Sequence, residues 1–410
     1  MKKNPILIAL ILITFFVISF LTNIIGPLVP DIIKSFGLSL KMASFIPFSF
    51  FVAYGVMSIP SGFLIEALGE KKVMIIAFLI SSIGAFLFAS TGSYSFYLVS
   101  LFLIGTGMAM LQVAINPLLR TIGGEKEFAF NSVLGQLFFG LASFISPLIY
   151  SYIINNVNDQ SQSNNFIIKF LNAIKIPEME WISLYWIFAI ISLIMVAIII
   201  VSKLPVVEKK EDEKTGAIQT HLLLIKNPMV LLYFLAIFCY VGTEQGIANW
   251  ISQFLEIYHN INPQVQGAKT ISNFWGMMTL GTLLGLLLLK FFDSRKVLIL
   301  SSLISIIALI AALFGTSQQA LIAFPIIGFF IATMWSIIIS LALNSVLDNH
   351  GSLSGILVTG IIGGAFVPFI VGAIGDVFGL KTGMLFLVFT LLFILSIGFW
   401  AKPLINNKST

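Results

Sequence analysis

Twelve apolar stretches, each long enough to cross a bilayer, fall six on either side of one charged segment. They lie at about 5–30, 43–65, 72–91, 95–118, 129–154, 182–202, 227–257, 270–289, 296–315, 319–346, 352–375 and 379–402. A helix needs roughly 20 mainly apolar residues to span the hydrocarbon. The dividing segment, 203–221, holds Glu208-Lys-Lys-Glu-Asp-Glu-Lys214, the densest run of charge in the chain. Only 10% of the residues are charged, against about 25% in a soluble protein. The chain therefore reads as an all-α polytopic membrane protein. Its expected parts are an N-terminal six-helix bundle (1–202), a linker (203–222) and a C-terminal six-helix bundle (223–410).

Other architectures fit poorly. Helices in a soluble core carry a polar face at helical spacing, whereas these segments are apolar all round. A membrane β-barrel alternates apolar and polar residues, and the stretch 73–88 does not. The first segment, behind Met1-Lys2-Lys3, is too long for a secretory signal and lacks a small-residue cleavage pattern, so it reads as a retained helix. The single cysteine, Cys239, excludes an intramolecular disulfide.

Orientation follows from the cations. With the N-terminus inside, six of the 22 Lys and Arg fall outside: Lys34, Lys41, Lys169, Lys175, Lys269 and Lys381. The other sixteen flank the inner edge, as the positive-inside rule expects. Both termini and the linker are thus expected in the cytoplasm. The net charge of +5 is spread along that edge and needs no nucleic-acid partner. In the longest outer loop, 155–180, the segment 166–174 reads equally as a short amphipathic surface helix or as plain loop.

Between spans 2 and 3 the chain reads Gly62-Phe-Leu-Ile-Glu66-Ala-Leu-Gly69-Glu-Lys71. This resembles the Gly-x-x-x-Asp-x-x-Gly-x-Lys/Arg motif of the major facilitator superfamily, with Glu for Asp. A weaker echo follows span 8 at Gly281, Gly285, Asp293, Arg295 and Lys296. Span 4 ends Leu111-Gln-Val-Ala-Ile-Asn116-Pro117 and continues Ile122-Gly-Gly-Glu125. Span 7 carries Tyr240-Val-Gly-Thr-Glu244, Asn23 precedes Pro30 by seven, and span 11 has Gly363, Gly364, Pro368, Gly372 and Asp376. These are similar to the fucose and glucose/galactose permease branch of that superfamily. The resemblance implies two pseudo-symmetric six-helix halves with a substrate site between them. It also implies a sugar substrate and a cytoplasmic (inner) membrane setting in a bacterium.

The departures bear on mechanism. Where the fucose permeases carry an intramembrane Asp in span 1, this chain has Gly26, and the family acid of span 4 is Gln112. Glutamine holds no exchangeable proton near neutral pH, so proton symport does not transfer directly. Glu244 is the one acid this reading places mid-membrane. A charge there costs about 2.5–3.5 kcal/mol on insertion scales, so such residues face a cavity or a partner. Its alternatives are a ligand for sugar hydroxyls, a ligand for a coupling H+ or Na+, or a purely structural hydrogen-bonded carboxyl.

Further substrate contacts are expected from amides and tryptophans: Asn23, Gln112, Gln136, Asn249, Trp250, Asn273, Trp275 and Trp335. Amides bracket vicinal hydroxyls and indoles stack on the apolar face of a pyranose, although the same amides also serve as interhelical glue. No Lys or Arg lies mid-span, which disfavours an anionic substrate. A cytoplasmic gate is expected from Gly62, Glu66, Gly69, Lys71 and Arg120. Neither paired acids nor a nucleophile elbow nor a His cluster lies at membrane depth, so an enzyme, a cofactor and a metal centre are not expected. The expectation is a monomeric importer of a neutral sugar, coupled to H+ or Na+ and working by alternating access in the lipid bilayer. A drug exporter of the same superfamily and an uncoupled sugar facilitator are the alternatives.

Overall fold

The computed structural model describes residues 5–124, 128–157, 165–205, 207, 218–346 and 349–401. Most of the charged linker, Glu125 of the span-4 motif, and Lys2 and Lys3 lie outside these residues. Twelve of the described helices are long and apolar enough to cross a membrane. They are α1 (Pro5–Phe36), α2 (Leu40–Leu68), α3 (Glu70–Ser90), α4 (Tyr94–Gly123), α5 (Phe130–Val157) and α6 (Glu180–Val201). The second set is α7 (Pro228–Ala248), α8 (Pro263–Phe291), α9 (Ser294–Phe314), α10 (Ser317–Leu343), α11 (Gly351–Phe378) and α12 (Leu380–Trp400). The chain is a multi-pass, all-helical membrane protein with six spans on either side of the linker.

Several spans are discontinuous, which hydropathy alone did not register. α1 breaks after Thr22 and resumes as Ile25–Phe36. Pro27 lacks the N–H that would bond the Asn23 carbonyl, and its ring clashes with that group, so the helix cannot pass straight through. α7 stops at Ala248 rather than running to 257. After Asn249 and Trp250 the chain resumes as Ile251–His259. Here the Asn249 amide donates to the Gln245 carbonyl at 2.8 Å, competing with the ladder as short polar side chains do. α10 is interrupted at Ala332 and Thr333, and α11 tightens to a 3-10 turn at Gly360–Ile362. Interrupted helices are tolerated at membrane depth where they line a cavity or are buried in protein.

Large apolar residues point outward from α3 (Ile83, Phe86), α6 (Ile194), α9 (Leu300, Ile307) and α12 (Phe389). Meeting acyl chains instead of water is favourable for such side chains, since apolar surface leaves water for an apolar medium. At the turn between α2 and α3, Gly69 takes φ +81°, a left-handed conformation that costs an L side chain strain. That turn brings Lys71 back so that its Nζ donates to the carbonyls of Ile200 (2.8 Å) and Ser202 (2.7 Å) at the end of α6. Gly281 and Gly285 of the weaker motif let α8 press against Phe329 and Thr333 of α10, and Asp293 caps α9 by accepting from Arg295 N at 2.8 Å.

The segment Phe166–Ile174 is a helix, capped by the Asn165 side chain accepting from Ile167 N at 3.0 Å. It buries Ile168 and Leu171 and turns Phe166, Ile167 and Phe170 outward.

Candidate functional site

A cavity of about 1080 Å³ occupies the centre of the bundle. It is lined from α1, α2, α4, α5, α7, α8, α10 and α11, and none of its described lining residues comes from α3, α6, α9 or α12. Its wall runs to Arg120, Thr121 and Gly124 at the end of α4, to Gly351 and Ser354 at the start of α11, and to Val207. The cavity therefore extends to the side of the membrane that carries the linker.

The opposite side is closed by contacts between the first six and last six helices. Ile25–Phe36 packs on Ile251–His259. Phe45 and Phe48 of α2 meet Phe369 and Phe366 of α11, with ring centroids 5.0 and 5.3 Å apart. Ser272 of α8 donates to the Phe144 carbonyl of α5 at 2.6 Å. A wall continuous on one side and a packed seam on the other describe an inward-facing geometry if the linker is cytoplasmic.

Six of the nine residues expected to touch substrate line this cavity: Asn23, Gln112, Gln136, Glu244, Trp275 and Trp335. Asn23 is held by α5, its Nδ2 donating to Ser143 Oγ at 2.8 Å. Ser19 and Ser143 hydroxyls are 2.6 Å apart, and Ser19 also donates to the Phe139 carbonyl. This fixes the Asn23 side chain, while its Oδ1 has no protein partner. The Trp275 Nε1–H is likewise buried and unpartnered. An unmet donor or acceptor in a buried position costs about 1–3 kcal/mol, and a ligand or ordered water that satisfies it recovers that cost.

Glu244 accepts from Gln245 Nε2 at 3.0 Å, and Tyr240 lies one turn back on the same face of α7. Tyr240 in turn meets the Trp335 ring at a centroid distance of 6.0 Å. The carboxylate thus faces the cavity from a cluster of neutral donors beside two aromatic faces.

Three expected contacts sit elsewhere. Asn249 is buried behind the wall, where its amide lies 3.3 Å from Gln245 Oε1; it orients the glutamine that holds Glu244. Trp250 is 1% exposed and donates to the Pro368 carbonyl at 3.2 Å, securing the α7 break against α11. Asn273 is exposed on the outer face of α8. It lies two residues from Trp275, about 200° around the helix, and so opposite the face that Trp275, Thr279 and Thr282 present to the cavity. Of the gate residues, Gly62 and Arg120 line the cavity and Glu66 is exposed at the end of α2.

Sequence reasoning missed Tyr54, Ser143 and Asp31. Tyr54, Ser58 and Gly62 line the cavity at helical spacing, and Ser143 lies two turns beyond Gln136; both stripes were available from periodicity. Asp31 was lost because span 1 was ended at 30. The helix continues to Phe36, and Asp31 is buried within it. Glu244 is therefore not the only acid inside a spanning helix. Among the described residues no group of three or more His, Cys, Asp or Glu is poised to hold a metal.

A family model described as Major Facilitator Superfamily matches residues 11–260. The chain is 32% identical over 365 residues to the putative glucose/galactose transporter of Helicobacter pylori, covering 88% of this chain and 87% of that protein. It superposes on a crystal structure of an asparagine-to-alanine variant of the Escherichia coli fucose:proton symporter FucP with a TM-score of 0.68, and on one of the Major Facilitator Superfamily transporter FucP in the outward conformation with a TM-score of 0.69. Both are 25% identical to it, covering 96% of this chain and 98% of theirs. An inward-facing, unoccupied bacterial homologue of the lysosomal transporter Spinster shares the fold with a TM-score of 0.79 at 16% identity, covering 97% of this chain and 96% of that one.

Proposed function

Because the chain belongs to the Major Facilitator Superfamily, we propose that it is a secondary active transporter importing a neutral hexose-class sugar, coupled to H+ or Na+. Transport proceeds by alternating access across a bacterial cytoplasmic membrane, with both termini and the linker in the cytoplasm. The halves 1–202 and 223–410, joined by 203–222, rock about the cavity as a monomer. The observation that carries this reading is the cavity's chemistry. Amides (Asn23, Gln112, Gln136) and indoles (Trp275, Trp335) converge there from both halves, and Arg120 at the linker-side mouth is the one Lys or Arg among its described lining residues. Such a wall suits hydroxyls and an apolar ring face and gives an anion no charge at mid-depth. The glucose/galactose and fucose specificities of the relatives point to the same substrate class.

Counterflow of labelled glucose, galactose and fucose into proteoliposomes, with and without proton and sodium gradients, tests this directly. Uptake of at least one sugar above protein-free vesicles is expected, and no uptake of any of them would reject the substrate class. In the same assay, Asn23→Ala and Gln112→Ala are expected to weaken sugar binding by about 1–3 kcal/mol each. Gln112→Glu, which restores the family acid, is expected to introduce a pH dependence. Unchanged binding in both alanine variants would make these amides structural.

Glu66, Lys71 and Arg120 form the proposed cytoplasmic gate around the Gly69 turn. Glu66→Gln is expected to slow transport about tenfold or more while leaving sugar affinity nearly intact, because the gate acts on reorientation rather than on the bound sugar. Equal losses of affinity and rate would contradict that assignment.

A further inference from the structure

We infer that Asp31 is a positioning residue of the transport cycle, the polar latch that holds the side opposite the linker closed. Asp31 follows Asn23 by eight residues, about 12 Å along the helix, and so sits beyond the cavity, within the closed seam. It is 7% exposed. One carboxylate oxygen accepts from the Tyr150 hydroxyl of α5, and the other accepts from Gln264 Nε2 at 2.7 Å. Tyr150 belongs to the same half as Asp31, whereas Gln264 opens α8 in the other half. The carboxylate therefore bridges the two halves, fixed on one side by a fully buried tyrosine and reaching across the seam to a side chain on the other.

Both hydrogen-bonding partners are neutral. The charged groups that act on Asp31 are Lys34, one turn along its own helix, and Glu180 at the start of α6. Glu256, on the segment that packs against Ile25–Phe36, feels the Asp31 charge in turn. Gln264 is itself well placed to let go. It lies in the single turn Pro263–Gly267, which the Asn262 side chain caps by accepting from Gln264 N at 2.9 Å. Opening the seam breaks the Asp31–Gln264 contact and leaves Asp31–Tyr150 intact, so the latch parts at one bond.

This assignment needs only that the two halves alternate access; it does not depend on which solute is carried. Its test is a distance measurement in the absence of sugar. In a Cys239→Ser background, nitroxide labels are attached at Lys41→Cys and Thr382→Cys, exposed positions near the starts of α2 and α12 on the latched side. Double electron–electron resonance in nanodiscs then reads the ratio of open to closed populations. Asp31→Asn and Gln264→Leu are each expected to raise that ratio about tenfold, equivalent to ~1.4 kcal/mol. The double variant is expected to go no further than either single one, since contacting residues couple. An unchanged ratio in both single variants, or additive shifts in the double, would overturn the latch. Gln264 is only partly buried, so Gln264→Leu keeps the test decisive if the Asp31 variant folds poorly. A lowered unfolding temperature with no change of ratio would likewise count against it, as the mark of a structural residue. The counterflow assay reports separately on the sugar, so either result stands without the other.

Discussion

Glu244→Gln is expected to abolish gradient-driven accumulation of sugar while leaving counterflow within a few-fold of the parent. Glu244 is the carboxylate on the cavity wall, held by Gln245. A charged group at that depth is costly unless compensated, so a bound proton or sodium ion and the carboxylate stabilise each other. Movement of the halves is then easiest when the site is neutralised, which links the ion to the sugar. Glutamine keeps the shape and one acceptor but carries no charge to neutralise. The variant is expected to reorient with sugar bound yet to equilibrate rather than concentrate it, with the accumulation ratio falling to about one. With Gly26 and Gln112 in place of the family acids, no other cavity-lining carboxylate is present among the described residues to take over. Parental accumulation by Glu244→Gln under either gradient would sink the coupling role and favour an uncoupled facilitator.

Gly26→Asp is expected to lower net transport by at least about tenfold, even though it restores the acid found in the fucose permeases. A Cβ at Gly26 would lie 2.5 Å from the Ala248 carbonyl oxygen, at the end of the first stretch of α7. This is the point where α1 and α7 meet in the closed seam. A methyl group there already overlaps the backbone, and overpacking costs about 1–3 kcal/mol; a carboxylate adds repulsion from the carbonyl. The seam would then fail to close, holding the protein open on that side. Sugar binding from that side is expected to survive, because Gly26 is not part of the cavity wall. Gly26→Ala should show a smaller loss of the same kind. Transport at the parental rate in Gly26→Asp would mean that the backbone yields there and that the contact imposes no constraint on closure.

Much of the candidate site was legible in the chain because polar residues in apolar helices are few. Asn23, Gln112, Gln136, Glu244, Trp275 and Trp335 could be singled out on that ground, and the structure brings all six to one cavity. The same argument also selected Asn249, Trp250 and Asn273, which it does not. For Asn273 the difference is one of rotation. These spans are apolar nearly all round, so hydrophobic periodicity says little about which face turns inward. Two residues along α8 separate a cavity-lining Trp275 from an outward Asn273, whereas Asn249 and Trp250 leave the wall because the first stretch of α7 ends at Ala248 and they fall in the break that follows.

What the sequence by itself determined was therefore whatever depends on length and local chemistry. That covers twelve spans, their order around a charged divider and the glycine turn at Gly69. Tertiary structure decided which residues meet. Asn23 is fixed by Ser143 across 120 residues, and Asp31 bonds Gln264 across 233. Such pairs leave no local trace, because each partner is an ordinary polar residue in its own helix. Only packing of one half against the other turns Asp31 from the apparent end of a span into a buried bridge.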